Sequence, residues 1–567
     1  MRPTLLRSQL KHRATLLPAA PLMERLAQSR AREVDEPLCP SLTSVLHWSG
    51  LLGIREAATR IAEAISSRQR IAIVGDYDAD GATATGVLMR GLRAFGADCH
   101  SVVPSRFSEG YGLSPPVVAH VAKLQAKLIV TVDNGISAYS GIVAAKSVGI
   151  DVVVTDHHLP GTIVPECCAI VNPNQADCSF GSKNLAGCGV AFYLLGALRS
   201  LLISINIEKA AAYDLRSLLP LVAIGTVADM VQLDANNRAL VNAGLKRIRS
   251  GQVSPGIDAL IQVAGVNREV LTASDIGFKI GPRINAAGRM ADMSVGIDCL
   301  TTDDPMNGQY LALQLDETNL HRRTTQGVDL DAALRECGDV EQHASVCVLS
   351  KTFHEGVVGV VAGRLREKFG KPTVVFKELD NGTIKGSGRS VPGFHLRDAI
   401  ERISTARPGM FIAFGGHAAA AGMTLSPGSF HDFRTLFEID VLAAVERDPE
   451  LLTESISHDG SLPVADATLE SADAIAVMPW GQGYAEPIFL DTFTVVSSRV
   501  LKDVHLGLAL TRGGQQFRAI WFNADMADAY EAGDTIELLY RLNKNSWNGV
   551  DNLQLMVVAR VKDESGA

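Results

Sequence analysis

The sequence predicts an α/β protein built in series: a parallel-sheet domain, a long connecting helix, a second α/β domain and a small C-terminal β-barrel. Three observations predict it. From Ile71 onward, apolar strand-like runs alternate with helical segments, the pattern of a parallel sheet. Residues 303–338 hold a polar-faced helical pattern long enough to bridge two lobes. After Glu454 the pattern changes to short strands with turn signals, the spacing of a small barrel. A chain of 567 residues exceeds what one hydrophobic core supports, so division into domains is expected.

Residues 1–50, with their prolines and arginines around LTSVLHWSG, read as an N-terminal arm ending in a helix. The apolar spacing from Glu56 to Ser67 is helical. Ile71–Val74 then reads as a buried strand that runs into GDYDADG, Gly75–Gly81, and the following ATATGVLMRGLRAFG reads as a helix. Asp76, Asp78 and Asp80 therefore lie where a strand ends and a helix starts. Packed acids repel one another unless a cation neutralises them, and clustered hard oxygens suit magnesium or manganese. The competing reading is a solvated turn in which Asp80 caps the helix.

Two more strands end in the same chemistry. Lys127-LIVTVDNG ends at Asp133, and Ile150-DVVVTDHH ends at Asp156-His157-His158. Leu221-VAIGTVADM is a further apolar run, helix or strand by pattern, ending near Asp229. Ligands of parallel sheets sit beyond the carboxyl ends of the strands, so these acids and histidines share one edge. Two ions bridged by a carboxylate can hold both the attacking water and the departing oxygen of a phosphoester. His158, beside the candidate ligand His157, is then available to contact a phosphate oxygen or pass a proton.

In the second half, Ser345-VCVLS reads as a strand, and HEGVVGVVAGRLREKFG as a turn that becomes a helix. GSGRS, Gly386–Ser390, and GGHAAAAG, Gly415–Gly422, read as glycine-rich turns whose backbone can approach a phosphate. Five terminal β segments suit an OB-fold. Phe517, Trp521, Phe522, Tyr540 and Trp547 are candidate base-stacking faces beside Arg512, Arg518 and Arg541, although most aromatics of a small barrel belong to its core. The expected domains are 1–50, 51–300, 301–339 (the connecting helical region), 340–453 and 454–567.

The net charge of −9 argues against coating nucleic acid by bulk attraction but allows a locally basic groove. No apolar run approaches the roughly 20 residues of a membrane span, and no signal peptide is expected. The nine cysteines are scattered without Cys-x-x-Cys spacing, which fits a reducing cytoplasm, no zinc site and no membrane.

Taken in order, GDYDADG, VDNG, TDHH and VADM resemble the successive motifs of the DHH phosphoesterases. SRFSEGYG (Ser105–Gly112), GPRINAAGRM (Gly281–Met290), HEGVVGVVAGRL (His354–Leu365), GSGRS and GGHAAAAG narrow the resemblance to the RecJ exonucleases, from about residue 50 to the C-terminus. The resemblance implies a DHH catalytic domain, a DHH-associated nucleic-acid-binding domain and an OB-fold. It implies a divalent-metal-dependent exonuclease that hydrolyses single-stranded DNA 5′ to 3′ and releases 5′-mononucleotides in repair and recombination. Carried over residue by residue, Asp78, Asp80, Asp133, His157 and Asp229 become ligands for Mn2+ or Mg2+, with Asp133 bridging. Asp76, His157 and His158 fall among the catalytic residues. Arg106 and Arg283 become contacts to DNA phosphates, and His354, Arg389 and His417 further substrate contacts. Single-strand-binding protein and a repair helicase are implied as partners of a monomer.

The resemblance has one departure. Many relatives place a histidine two residues before the first aspartate, where this chain has Val74; one ion would lose its only nitrogen ligand and bind weakly. Other readings are a small-molecule phosphatase or pyrophosphatase, an oligoribonuclease, or a non-catalytic scaffold. The scaffold should have lost ligands, and all five are present.

Overall fold

The computed structural model describes residues 4–13, 20–30, 37–104, 109–110, 112–524, 530–547 and 549–562. The chain forms two compact units. One comprises Leu26–Asn319 with Asp473–Glu486; the other comprises Met1–Arg25, Leu320–Ala472 and Pro487–Ala567.

The first unit is built on an all-parallel sheet. Its strands are β1 (Ile71–Gly75), β2 (Cys99–Val102), β3 (Leu128–Val132), β4 (Asp151–Thr155) and β5 (Ala169–Val171), in the order β2-β1-β3-β4-β5. β1 and β3 are buried at every position, as continuous Val/Ile runs require when helices cover both faces. Four helices complete the region that matters here: α1 (Ala79–Phe95), α2 (Gly187–Ser204), α3 (Leu219–Ala228) and α4 (Gly281–Met290). α2 is long and apolar enough to cross a membrane by length and composition, but 61% of it is buried inside the protein. It is a core helix. α3 resolves the ambiguous VAIGTVADM run as helix; it is buried on all sides from Leu219 to Thr226, which erases any amphipathic period.

A 32-residue helix, Pro305–Glu336, carries the chain from one unit to the other between Asn319 and Leu320. In the second unit, a five-stranded sheet runs Phe411–Gly416, Ala420–Leu425, Ile384–Arg389, Thr373–Glu378, Val346–Ser350. Only the last pair is parallel. GSGRS is not the expected turn. Its first four residues are the end of the strand Ile384–Arg389. Gly386 lies directly across from Phe376, and a Cβ on it would come 2.3 Å from that ring; a Cβ on Gly388 would come 2.7 Å from Leu396. These glycines make room for core side chains. GGHAAAAG forms the hairpin joining Phe411–Gly416 to Ala420–Leu425.

The terminal strands Phe489–Leu501, His505–Arg512, Gln515–Phe522, Thr535–Trp547 and Val550–Lys562 close into a barrel. First pairs with second and fourth, second with third, and third with fifth in parallel; the fourth–fifth pairing completes the ring. That is OB-fold connectivity. The N-terminal residues do not stand apart from it: Thr4–Leu6 pairs in parallel with Arg560–Lys562, and Leu10–His12 with Ile456–His458. Of the candidate stacking rings, Phe517, Trp521 and Tyr540 are buried in the core, and the Tyr540 hydroxyl donates to Asp491 at 2.8 Å. Phe522 is 52% exposed, edge-on to His505. The Trp547 side chain lies outside the described residues. Arg512 is taken up by Asp491, Ser461 and the Leu462 carbonyl, whereas Arg518 is exposed.

Candidate metal centre

The chemistry gathers where β1, β3 and β4 end. Just past β1, the Asp78 carboxylate caps α1 by accepting from the Asp80 and Gly81 amides at 2.9 and 3.0 Å. Asp78 is therefore the N-cap, not Asp80 as the competing sequence reading had it. Asp80 points away from that turn and is fully buried. Its carboxylate accepts from the backbone N–H of Gly187 at 2.5 Å and of Cys188 at 3.0 Å, the opening of α2. A helix N-terminus thus faces a buried carboxylate. Burial nevertheless pushes Asp80 up to about 6, with the charge of Asp78 adding to the effect.

Asp133 follows β3 in a left-handed conformation, φ +60°. This is strain of the kind that a surrounding structure maintains at a site. Asn134 ties the ends of β1 and β3 together, its amide donating to the carbonyls of Val74 at 3.1 Å and Val132 at 2.8 Å. Gly187 has to be glycine, since a Cβ there would come 2.6 Å from that of Asp133. Asp133 is raised well above the carboxylate range by burial and by the charges of Asp80, Asp78, Asp229 and Asp76. Asp229 caps the C-terminus of α3 and is likewise raised, by burial and by Asp80 and Asp78. Without a cation, these acids can only relieve their repulsion by holding protons.

β4 leads into Asp156-His157-His158. Buried Asp156 accepts from the amides of Ile136, His157 and His158 at 2.9, 2.7 and 3.1 Å, and from His158 Nδ1 at 2.7 Å. Burial works against its charge, but the His158 hydrogen bond and charge outweigh it and hold Asp156 down at about 2. Conversely, burial disfavours the His158 cation, and the Asp156 bond and charge outweigh that and raise it to about 9. Asn174 and Asn172 fix the carbonyls of His157 and His158 at 2.6 and 2.8 Å. His157 Nε2 then sits 3.0 Å from Asp133, 3.6 Å from Asp229 and 4.0 Å from Asp80.

Among the described residues, three groups of ligand atoms lie within 4.8 Å of one another: Asp80, His157 and Asp229; Asp76, Asp78 and Asp133; and Asp133, His157 and His158. Carboxylates with one or two imidazoles and no thiolate are the donors of a hard divalent cation, so the residues fit Mn2+ or Mg2+. Asp133 belongs to two groups, and Asp76 reaches the all-oxygen one. Val74 lies elsewhere: it is fully buried in the apolar layer of Val102, Leu113, Val117 and Val121. A histidine placed there would enter that layer.

The remaining candidates divide. Arg106 lies outside the described residues. Arg283, on α4, is engaged within its own unit: Nε to Asp316 at 2.8 Å, with further contacts to the Lys279 and Val263 carbonyls. The contribution of GPRINAAGRM to the acidic cluster is Asn285, whose side-chain oxygen accepts from the Ala79 amide at 2.8 Å. In the second unit, Arg389 donates to Ser387 and to the Gly388 carbonyl, and it lies against Gly359 at the start of the helix Val358–Phe369. His354 Nδ1 accepts from the Gly356 amide at 3.1 Å, while its own amide donates to Asp329 at 2.8 Å. The exposed His417 turns at the hairpin beside Ala420, the residue across from Arg389. Sequence reasoning missed Asp156, Asn134, Asn174 and Asn285 as supports. Asp156, Asn134 and Asn285 stood inside motifs already singled out, but Asn285 acts on Ala79, 206 residues away; Asn174 lay outside any motif.

Comparisons with known proteins bear on the chain as a whole. Residues 70–226 match the DHH family N-terminal domain, 342–439 the DHHA1 domain and 458–559 the RecJ OB domain. The chain is 43% identical to the single-stranded-DNA-specific exonuclease RecJ of Salmonella typhimurium and 42% identical to that of Escherichia coli, in each case over 95% of both chains. A crystal structure of RecJ from Thermus thermophilus with Mn2+ superposes with a TM-score of 0.83 at 29% identity, covering 99% of this chain and 80% of that one. Its Mg2+ counterpart gives 0.77 at 28% identity, covering 99% and 79%.

Proposed function

We infer the activity from one premise: the chain belongs to the RecJ family of single-stranded-DNA-specific exonucleases. It is a divalent-metal-dependent exonuclease that hydrolyses single-stranded DNA 5′ to 3′ and releases 5′-mononucleotides, in DNA repair and recombination. The observation that supports this best is the convergence of Asp78, Asp80, Asp133, His157 and Asp229, from four separate segments, on one buried acidic cluster.

Asp80, Asp133, His157 and Asp229 would hold one cation, and Asp76, Asp78 and Asp133 the other. Bound there, two divalent cations supply Lewis acidity at the scissile phosphodiester. Hydrolysis adds water across the P–O3′ bond, leaving a 5′-phosphate on the shortened strand and a 3′-hydroxyl on the released nucleotide. The chain's own residues orient and neutralise. Asp156 fixes the ring of His158, which places a positive edge toward a phosphate oxygen. His354, Arg389 and His417 contact the strand from the second unit. Exposed Phe522 and Arg518 are the barrel's stacking and phosphate contacts. Arg283 positions α4, and through it Asn285, more readily than it grips a phosphate. Because the Asp76–Asp78–Asp133 group lacks nitrogen, it is the weaker site and discriminates less between manganese and magnesium. Calorimetric titration without DNA tests this, and two equally tight Mn2+ ions would refute it.

Family membership extends the reading to single-strand-binding protein and a repair helicase as partners of a monomer in the cytoplasm. Purified protein with Mn2+ and 5′-labelled single-stranded DNA, beside blunt duplex, RNA oligomers and pyrophosphate, tests the activity. Labelled mononucleotide should come from the single strand alone; faster turnover of pyrophosphate or RNA would overturn the substrate.

A further inference from the structure

Fourteen residues just ahead of the barrel, Asp473–Glu486, belong with the catalytic unit, although the barrel's family match spans them. They form a strap. Its centre is a tight turn, with Gly481 and Tyr484 exchanging backbone hydrogen bonds at 3.0 and 3.1 Å. Trp480 stacks on Tyr484 at 5.4 Å between ring centroids, and its indole N–H donates to the Ile475 carbonyl at 2.7 Å. Arg30 lies over Trp480 at 4.9 Å, and Arg238 over Tyr484 at 4.0 Å. With Arg30 also 5.8 Å from the Tyr484 ring, the stacked pair carries more cation–aromatic contacts than a passing linker requires.

What the strap holds is the segment that leaves Asp229. At that point α3 has ended, Met230 is left-handed (φ +61°), and the chain must turn toward Asp234, which caps the next helix, Ala235–Arg249. Gln232 and Leu233, just before that helix, are pinned. The Gln232 carbonyl accepts from Asn237 at 2.9 Å. The Leu233 amide donates to the Gln482 carbonyl of the strap at 2.8 Å, and the Leu233 carbonyl accepts from Arg238 at 3.0 Å. Arg238, 1% exposed, therefore joins Leu233 to the Tyr484 ring. Gly481 sits so close to Leu233 that a Cβ on it would come 2.7 Å from the leucine side chain.

We propose that the strap Trp480–Tyr484 is a positioning element of the metal centre: it clamps Leu233 and thereby fixes where Asp229 delivers its carboxylate. This rests on the metal reading of the acidic cluster. Tyr484, Gly481 and Trp480 are positioning residues and none of them offers a ligand. Cation affinity in the catalytic unit thus depends on a segment that continues, three residues after Glu486, into the first barrel strand at Phe489.

Calorimetric Mn2+ titration of the full chain without DNA, with thermal melting alongside, tests the proposal. Tyr484→Ala should weaken the site served by Asp229 about tenfold, the low end of what outer supports of a ligand contribute. Tyr484→Phe, which keeps the ring over Arg238, should restore it. Gly481→Ala, adding one methyl against Leu233, should move affinity in the same direction and covers the case in which Tyr484→Ala does not fold. Ile261→Ala, a buried position on the helix Pro255–Val263 of the same unit, supplies a destabilised reference that should bind Mn2+ as the wild type does. Mn2+ affinity within twofold of wild type in folded Tyr484→Ala or Gly481→Ala would overturn the proposal, as would an equal loss in Ile261→Ala. A wild type that binds no Mn2+ would instead overturn the metal reading itself.

Discussion

The two α/β regions both place glycines where a side chain would matter, in helices of the first and in strands of the second, yet they use them for opposite purposes. In the catalytic unit, glycine lets backbone and acids crowd together. Gly187 sits against Asp133, and Gly225 has no room for a Cβ because Asp80, Thr83 and Cys188 are already there. In the second unit, Gly386 and Gly388 make room for Phe376 and Leu396 on the core face, while Gly415 and Gly422, paired across the hairpin, have open space in front of them. The first region stores electrostatic repulsion in a buried place. The second stores almost none and leaves a side-chain-free strip of sheet at its surface. Damage to the first should therefore appear in chemistry, and damage to the second in packing or in substrate affinity.

The sharpest test of that contrast is Asp133→Ala. Losing Asp133, the carboxylate proposed to serve both cations, should abolish turnover, while the fold survives, because removing one of several clustered buried acids relieves repulsion. Activity above about a tenth of wild type in the folded variant, equivalent to roughly 1.4 kcal/mol of barrier, would exclude a bridging role. Melting measured in parallel should show no loss of stability in the metal-free protein.

Asp156→Asn should cost less, on the order of 10–100-fold in kcat, since Asp156 orients its neighbours and does not itself enter the all-oxygen group. Here stability should fall as well, because the charged partner of His158 and the acceptor of three amides is weakened. A variant that loses activity but melts like the wild type would place Asp156 among the cation ligands.

How far the sequence discloses this arrangement depends on range. Asp78, Asp80, Asp133 and His157 are legible because each ends or follows a strand whose apolar run announces itself locally. Asp229 is half legible: its helix is buried on every side, so no period separates helix from strand. Thr4–Leu6 could not be read as part of the barrel, because its partner, Arg560–Lys562, lies at the other end of the chain. GSGRS reads as a turn since glycine usually marks one. Only the position of Phe376 across the strand shows why glycine is needed there. Trp521, Phe517 and Tyr540 share their composition with a DNA-binding face, and alternation along their strands turns them into the core instead. The strap's hold on Leu233 joins residues almost 250 apart and has no local signature.

In the second unit the largest effect should come from packing. Gly386→Ala forces a methyl onto the Phe376 ring, and overpacking of this kind costs about 1–3 kcal/mol. A thermal melt of the variant should fall by several degrees, while Mn2+ titration returns wild-type affinities. If the metal sites weaken along with the melt, the two regions are not energetically separate and the contrast drawn above fails.

The smallest expected effect is that of His417→Ala. Its imidazole is exposed on the hairpin, and the turn keeps its shape through the backbone, the His417 amide donating to the Ala420 carbonyl at 2.8 Å. Removing the ring should therefore leave the fold intact and delete the one contact to the strand proposed for it. A net hydrogen bond is worth about 0.5–1.5 kcal/mol, so KM for single-stranded DNA should rise roughly two- to tenfold. A contact that only grips the strand holds substrate and transition state alike, so kcat at saturating DNA should not change. The split between the two constants carries the information. An equal fall in kcat would mean that His417 touches charge developing at the scissile phosphate, and the second unit would then belong to the chemistry as well as to the grip.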